Sequence, residues 1–599
     1  MDRRAFLASG AAAALWSATA RAQVPASVYD AVLEQVLALS PEAATSGGLD
    51  TGPRRALKHR LDDRTAAHRF SFYDALVDAR PAVAALPETG DARSQVFRQT
   101  ALWIGDTMAP FRGFAWGGVG GYAYPVPYVL SQLTGAYQAL PDFLDNQHTI
   151  NDADDAEAFI DRLGAFSTGV AAETERMKAD VALGVAPPDF LIARTLSQLK
   201  SLLASQKGPQ GALAASVARR TAARGVAGDW GARAQTLVDG PLTAALTAQL
   251  AAVEALQAGA RTSAGVGALP RGDEYYAHCL RFHTSTRLTP DAAHKLGLEQ
   301  VEIVSAAARK VLDAQGVTTG TVSQGIKHLW DDPAQQFPNT DAGRAQVLDF
   351  IRARLADMTK RLPTAFATLP KTALEVRRVP VDIELGSPGA YSQSGAIDGS
   401  RPGAIYFNLH DTANWPRWAT PTTAYHEGLP GHHLQGSIAN EATGVPTLFK
   451  LLGFNAYNEG WALYAEELSD ELGAYDDLPL GRLGRLQGSL FRACRIVVDT
   501  GLHAKGWSRE KAIAYLIDNA GETAEDARRE IERYCAWPGQ ACGYKIGHLE
   551  LLRLRALARA KLGAKFDLKR FHDRVLLKGS MPLEVMARDV DIWIAAGGA

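Results

Sequence analysis

A chain of 599 residues with Lys+Arg 63 against Asp+Glu 65 carries a formal net charge of −2, which gives no strong field and nothing to suggest a nucleic-acid partner. With 47% hydrophobic and 21% charged residues it is neither a disordered nor a fibrous composition but that of a globular protein. The length allows two or more domains and a large core.

The first residues read as an export signal over 1–22. Arg3-Arg4 is followed by Ala5-Phe6-Leu7 and an apolar run to Trp16, and Ala20-Arg21-Ala22 forms an A-x-A cleavage site before Gln23. The Arg-Arg-x-Phe-Leu start resembles a bacterial twin-arginine signal. No Cys stands near the cleavage site, which argues against a lipid anchor, and no later apolar run reaches membrane-spanning length. The expectation is a soluble mature protein, periplasmic or secreted, without stable membrane insertion.

From Pro25 to Ala258 the periodicity is helical: Ser27–Leu39, a new start at Ser40-Pro41-Glu42, then Ala66–Ala84, Ser94–Met108, Ala156–Leu183, Phe190–Ser205 and Leu242–Ala258. Trp116 to Tyr128 is a Gly-rich, aromatic loop. It lacks the Lys-Ser/Thr ending of a phosphate loop and reads best as a tight loop packed on a helical bundle, although its aromatics suit a cleft. Gly259–Arg271 is the expected boundary between an N-terminal helical region, 23–258, and a catalytic region, 272–599. Glu274–Phe282, Pro290–Gln315 and Ala342–Arg361 are again helical. Ala373–Leu385, Gly389–Ser394 and Gly403–Leu409 alternate as strands. Beyond Gln435 helices return at Tyr457–Leu472, Leu480–His503, Arg509–Asn519, Ala524–Cys535, Gln540–Leu562 and Leu583–Ala595. The predicted class is mainly α with a small β-sheet (α+β). Four Cys exclude a disulfide scaffold; Cys535 and Cys542 either pair or are buried thiols.

Between the strands and the last helices lies Tyr425-His426-Glu427-Gly428-Leu429-Pro430-Gly431-His432-His433-Leu434-Gln435. In H-E-x-x-H the two His bind Zn²⁺ from one helix face and the Glu is general base. Here position i+4 is Pro430, and a regular helix puts i+7 about 10 Å along the axis, too far to share a metal. Gly428, Pro430 and Gly431 permit a bulge. Looping out two residues brings His432 into the i+4 place; looping out three brings His433. His432 needs the smaller distortion and is the expected ligand, with His433 supporting it. A sheet ahead of a metal-binding helix is the zincin arrangement, and its edge strand can pair with a peptide. Asn408 and Asp411, at a strand end, are candidate substrate contacts or turn caps.

Catalytic zinc usually has three protein ligands. Glu459 opens a strongly periodic helix and is the candidate third. Glu466, two turns along the same face, is the candidate hydrogen-bond partner for a ligand His, and Glu467 reads as solvated surface. An oxyanion donor is sought in Tyr544, Tyr534 or His503. Gly543 is read as leaving space beside the Tyr544 ring. Arg492 and Arg495 are candidates for binding a substrate carboxylate.

His-Glu-Gly-Leu-Pro-Gly-His-His-Leu-Gln, Glu-Gly-Trp-Ala-Leu-Tyr-Ala-Glu, Arg-Ile-Val-Val-Asp-Thr-Gly-Leu-His and Pro-Gly-Gln-Ala together resemble the bacterial DUF885 proteins. The resemblance is strongest from Tyr275 onward. It implies a gluzincin-type metallopeptidase, similar in plan to helical oligopeptidases and carboxypeptidases, with a largely helical fold and a deep channel. The expected activity is zinc-dependent peptide hydrolysis. His426, His432 and Glu459 hold the metal, Glu427 is general base, and Tyr544 or His503 stabilises the oxyanion. The alternatives are a zinc hydrolase of non-peptide esters or amides and a non-catalytic periplasmic binding protein.

Overall fold

The structure, a computed structural model, describes residues 28–598 except 89–90, 209–210, 382–383, 385–387, 396, 398 and 400. The export signal expected over 1–22 lies outside the described residues.

Helices dominate, and most stand where the 3.6-residue periodicity places them. The longest, α1 (Ala153–Ala182), is capped by the Asp152 carboxylate, which accepts from the Asp155 amide. The Thr289 hydroxyl starts α2 (Pro290–Ala314) by accepting from Ala292 N–H, with Pro290 in the first turn. The C-terminal half continues through α3 (Thr420–Glu427), α4 (His432–Glu441), α5 (Asn455–Glu471), α6 (Gly481–Ala504), α7 (Ala524–Ala536) and α8 (Gly543–Leu562). The run predicted over Ala66–Ala84 breaks into Ser71–Asp78 and Arg80–Ala84, with Pro81 in the first turn of the second. Helices at Ala212–Arg224 and Val322–Trp330 have no counterpart in the sequence reading.

Two small sheets are present among the described residues. The Gly-rich loop holds a two-stranded antiparallel ribbon, β1 (Gly118–Val119) with β2 (Pro125–Val126), where a plain loop is expected. Gly117 sits at φ 71°, and a Cβ there would lie 2.7 Å from Val126 O, so only glycine lets the two sides close. The second sheet has β3 (Leu374–Arg378), β4 (Ala390–Gln393) and β5 (Gly403–Phe407) in the order β3-β5-β4. β3 is parallel to β5, and β4 antiparallel to it. β4 is therefore an edge, and it packs on both α3 and α4.

The apolar core divides differently from the boundary read at residue 258. Residues 129–256 build a core of their own around Phe159, Leu163 and Phe166 of α1. Residues 29–128 share their core with the C-terminal half. Tyr29 and Phe97 both pack on Phe449, at 5.1 and 4.7 Å between ring centroids, and Trp103 meets Phe454 at 5.6 Å. The glycine-rich linker separates two segments in sequence, but the aromatic faces of the first helices are complementary to the later half.

Candidate metal centre

α3 ends at Glu427, and the chain does not stop turning there. Gly428 N–H still bonds to Ala424 O, at 2.9 Å, as in a helix. Gly431 N–H then reaches back to Tyr425 O, also at 2.9 Å. That bond spans six residues where a helix spans four, so two residues are looped out. The path demands glycine at 431, because a Cβ there would lie 1.9 Å from His426 O and 2.4 Å from Tyr425 O. The loop is pinned by the Trp461 indole N–H, which donates to Pro430 O at 3.0 Å. α4 then restarts with His432 as its first residue.

The two imidazoles meet edge to face, with ring centroids 4.8 Å apart. Glu459 arrives from α5, as its fifth residue. The ligand atoms of His426, His432 and Glu459 all lie within 4.8 Å of one another. Glu459 Oε2 stands 3.6 Å from His426 Nε2 and 3.3 Å from His432 Nε2. It is buried and makes no hydrogen bond. A buried carboxylate oxygen without a partner is costly, and it converges with two imidazole nitrogens, a donor set suited to a borderline divalent cation such as zinc. The residues present therefore fit the metal.

The surroundings also draw positive charge to this point. Burial opposes charging His426, but the Glu459 and Glu466 carboxylates outweigh it and hold the ring up to about 9. Burial likewise opposes ionising Glu459, yet His432 and His426 hold its carboxyl well below the usual range. His426 Nδ1–H donates to Glu466 Oε1 at 2.7 Å, which turns its Nε2 toward Glu459 and His432. Gln435 Nε2 donates to Asn458 Oδ1 at 2.8 Å and ties α4 to the helix bearing Glu459.

Glu427 is the last residue of α3, next to His426, and its charge is felt by His426 and by Tyr122. Tyr544 stands near Glu459: burial, then the Glu459 charge, push its hydroxyl up, while Arg495 and Arg533 pull the other way. α5 and α8 reach this approach through a glycine crossing. A Cβ on Gly547 would lie 1.8 Å from Ala456 O, and one on Gly460 would lie 2.5 Å from the Gly547 carbonyl carbon.

Several candidates lie elsewhere. His503 is buried with both nitrogens committed to backbone: Nδ1 accepts from Val266 N–H and Nε2 donates to Tyr534 O, each at 3.1 Å. It is a core histidine, not an oxyanion donor. His433 points away from the cluster, with Nε2 on Thr372 O at 3.2 Å, against Gly403 of β5. It lines a cavity of about 430 Å³ together with Leu429, Leu355 and Leu374, and supports neither ligand imidazole. Asn408 closes the strand end, where its amide donates to Glu384 O at 2.6 Å and its Oδ1 accepts from His410 N–H at 3.1 Å. Asp411 caps Ala413 N–H. Arg495 turns inward, donating from Nε to Tyr534 OH and from Nη2 to Glu530 Oε2, each at 2.8 Å. Glu467 is not solvated surface, because it pairs with His548 Nε2 at 2.9 Å. Gly543 leaves its space to Asn455, whose Nδ2 would lie 2.0 Å from a Cβ, rather than to the Tyr544 ring. Cys535 and Cys542 are free and buried.

The Gly-rich aromatic loop supplies a residue the sequence reading set aside. Tyr122, at φ 60° between β1 and β2, is 80% exposed. Its ring lies 5.9 Å from that of Trp537, and its hydroxyl is near enough to feel the charges of Asp142, Glu459 and Glu427. The signal in sequence was the aromatic cluster between glycines; which side of the bundle it faced was not readable.

The bacterial family of unknown function DUF885 matches the chain over residues 41–590. No curated protein matches it. Among solved structures, a "putative lipoprotein" from Colwellia psychrerythraea is 32% identical, with 95% of this chain and 100% of that one covered at a TM-score of 0.90. A second "putative lipoprotein", of unknown function, from Shewanella oneidensis is 18% identical over 95% of this chain and 99% of that one. Its TM-score of 0.70 speaks for the fold alone.

Proposed function

The chain belongs to the DUF885 family, and from that premise and the geometry of its His-Glu cluster we propose that it is an exported, zinc-dependent metallopeptidase of the gluzincin plan. The observation that carries the reading is the buried, unpartnered Glu459 Oε2 converging with His426 Nε2 and His432 Nε2. These three residues would hold the ion. Zinc, when bound, supplies a Lewis acid and makes water ionise near neutral pH.

The chain's own groups supply the rest. The Glu427 carboxylate takes a proton from the attacking water and returns it to the leaving nitrogen. Glu466 Oε1 holds the proton on His426 Nδ1 and so keeps Nε2 free as a donor of its lone pair. The Tyr544 hydroxyl, its proton held more tightly than usual, donates to the oxygen that gains charge at the substrate carbonyl. β4 favours a peptide over other amides and esters. It is a sheet edge lying against α3 and α4, and such an edge pairs with an extended backbone. Export rests on the signal-like segment at 1–22, and the name of the Colwellia psychrerythraea protein agrees with it.

The test compares wild type with Glu427→Gln for metal content and for digestion of a peptide library. About one zinc per chain is expected in both, with turnover lower by at least ~10²-fold in the variant. A zinc-loaded wild type that leaves every peptide intact overturns the reading; one that cleaves esters alone makes it an esterase.

A further inference from the structure

Four arginines stand along α6, and three of them are matched to carboxylates. Arg482 pairs with Asp470 and Asp476, Arg485 with Asp470, and Arg495 with Glu530. Arg492 has no ion pair among the described residues. Its one hydrogen bond among the described residues runs from Nη1 to Gly488 O, at 3.3 Å, and its half-buried side chain leaves Nε buried without a partner. Half-burying a guanidinium without an anion is unfavourable. Glu522 is near enough to feel it, but the two form no ion pair.

The position of Arg492 is what gives this meaning. Its guanidinium lies 5.8 Å from the centroid of the Tyr544 ring. Its Nη1 and Glu466 Oε2 each lie 3.2 Å from where a Gly488 Cβ would stand, so the two are neighbours although they form no ion pair. It therefore sits between the Glu466 that orients His426 and the Tyr544 that approaches Glu459. Behind the same ring, Arg495 is 6% exposed, stacks on Tyr544 at 4.6 Å, and has a buried Nη1 without a partner. Both guanidinium groups thus lie against the Tyr544 ring, Arg495 spent on Glu530 and Tyr534 and Arg492 without an ion pair.

We propose that Arg492, backed by Arg495, binds a carboxylate on the residue that follows the cleaved bond, so that the enzyme releases residues from the C-terminal end of peptides. This rests on the peptidase reading above. In the reaction the peptide C–N bond breaks, the water oxygen joins the acyl carbon, and the proton goes to the released amine. Nη2 of Arg492 makes no bond among the described residues and, unlike Nε, is not buried, so it is the charged donor a carboxylate would meet. The α-carboxylate of a terminal residue is one source; an Asp or Glu side chain at the same place is the other.

The experiment measures kcat/KM on a peptide acid, its C-terminal amide, and an amide carrying Asp or Glu after the cleaved bond. For wild type the acid should exceed the plain amide about 10- to 100-fold, the worth of a charge-assisted hydrogen bond. Arg492→Ala should abolish that ratio, and Arg492→Lys should keep part of it. If the amide with Asp or Glu matches the acid, a side-chain carboxylate also serves. Equal rates on acid and plain amide, or a ratio that survives Arg492→Ala, overturn the proposal. Calorimetry gives a second readout without turnover. Zinc-loaded Glu427→Gln protein should bind N-acetylphenylalanine about 10-fold or more tightly than its amide, and adding Arg492→Ala should erase the difference. If no peptide is cleaved but this difference appears and depends on Arg492, the carboxylate site stands and the peptidase reading fails. If the difference is absent, the carboxylate site fails.

Discussion

His432 and His433 are chemically identical neighbours, and only backbone path separates them. The bond from Gly431 N–H to Tyr425 O places His432 beside His426 and sends His433 to Thr372 O. His432→Ala should therefore lose zinc while His433→Ala keeps it, as read by metal content after dialysis. Glu466→Ala should weaken zinc binding about 10- to 100-fold without removing a ligand, because it frees the His426 ring to turn. Equal affinity in that variant would sink the orienting role.

Asp499 gives a prediction at the same scale but away from the metal. It is fully buried, accepts from Tyr276 OH at 2.6 Å and from Gly539 N–H at 3.1 Å, and burial pushes its carboxyl up to about 7. A carboxyl raised above its unfolded value near 3.9 favours the folded state fully below that value. The contribution is lost as pH rises through the folded pKa. Between about pH 4 and 7 the stability of wild type relative to Asp499→Asn should therefore fall. Denaturation midpoints of both proteins across that range provide the check, and a constant difference would contradict the assignment.

At the scale of elements, what fixes the site is where backbones touch. Gly547→Ala would set a methyl 1.8 Å from Ala456 O, forcing α8 from α5 and Tyr544 from Glu459. A cost of about 1–3 kcal/mol in stability is expected, with a fall in kcat larger than the fall in zinc content. The same comparison explains what was legible in the sequence. His426, His432, Glu459 and Glu466 were readable because metal chemistry restricts residue type and helical spacing restricts place. The helices and the three strands beside them were readable from periodicity. His503 was misread because an imidazole bound to Val266 and Tyr534 backbone looks, in sequence, like any other imidazole. The reason for Gly547 and the lack of an anion at Arg492 are facts about which helices meet, and spacing along one chain does not carry them.

At the scale of the molecule, the linker at 259–271 suggests that residues 272–599 form a unit, and the distribution of the core says otherwise. Phe449 is stacked on by Phe97 and met edge-on by Tyr29, and Trp103 packs on Phe454, which immediately precedes the helix bearing Glu459. Phe111 and Phe114 cover Tyr275 at 5.5 and 5.2 Å. Each buried aromatic contributes about 1.5–3 kcal/mol, so losing several approaches the whole stability of a typical domain, about 5–15 kcal/mol. Residues 129–262 differ, since Phe159, Leu163 and Phe166 pack among themselves and with the neighbouring helices of that segment. Two fragments should therefore behave in opposite ways. A 129–262 fragment should be helical and unfold cooperatively. A 272–599 fragment should lack near-ultraviolet circular dichroism and bind no zinc, because Phe454 and the start of α5 lose the surface that holds them. A 272–599 fragment that folds cooperatively and loads zinc would show that the first hundred residues merely decorate the C-terminal half rather than complete its core.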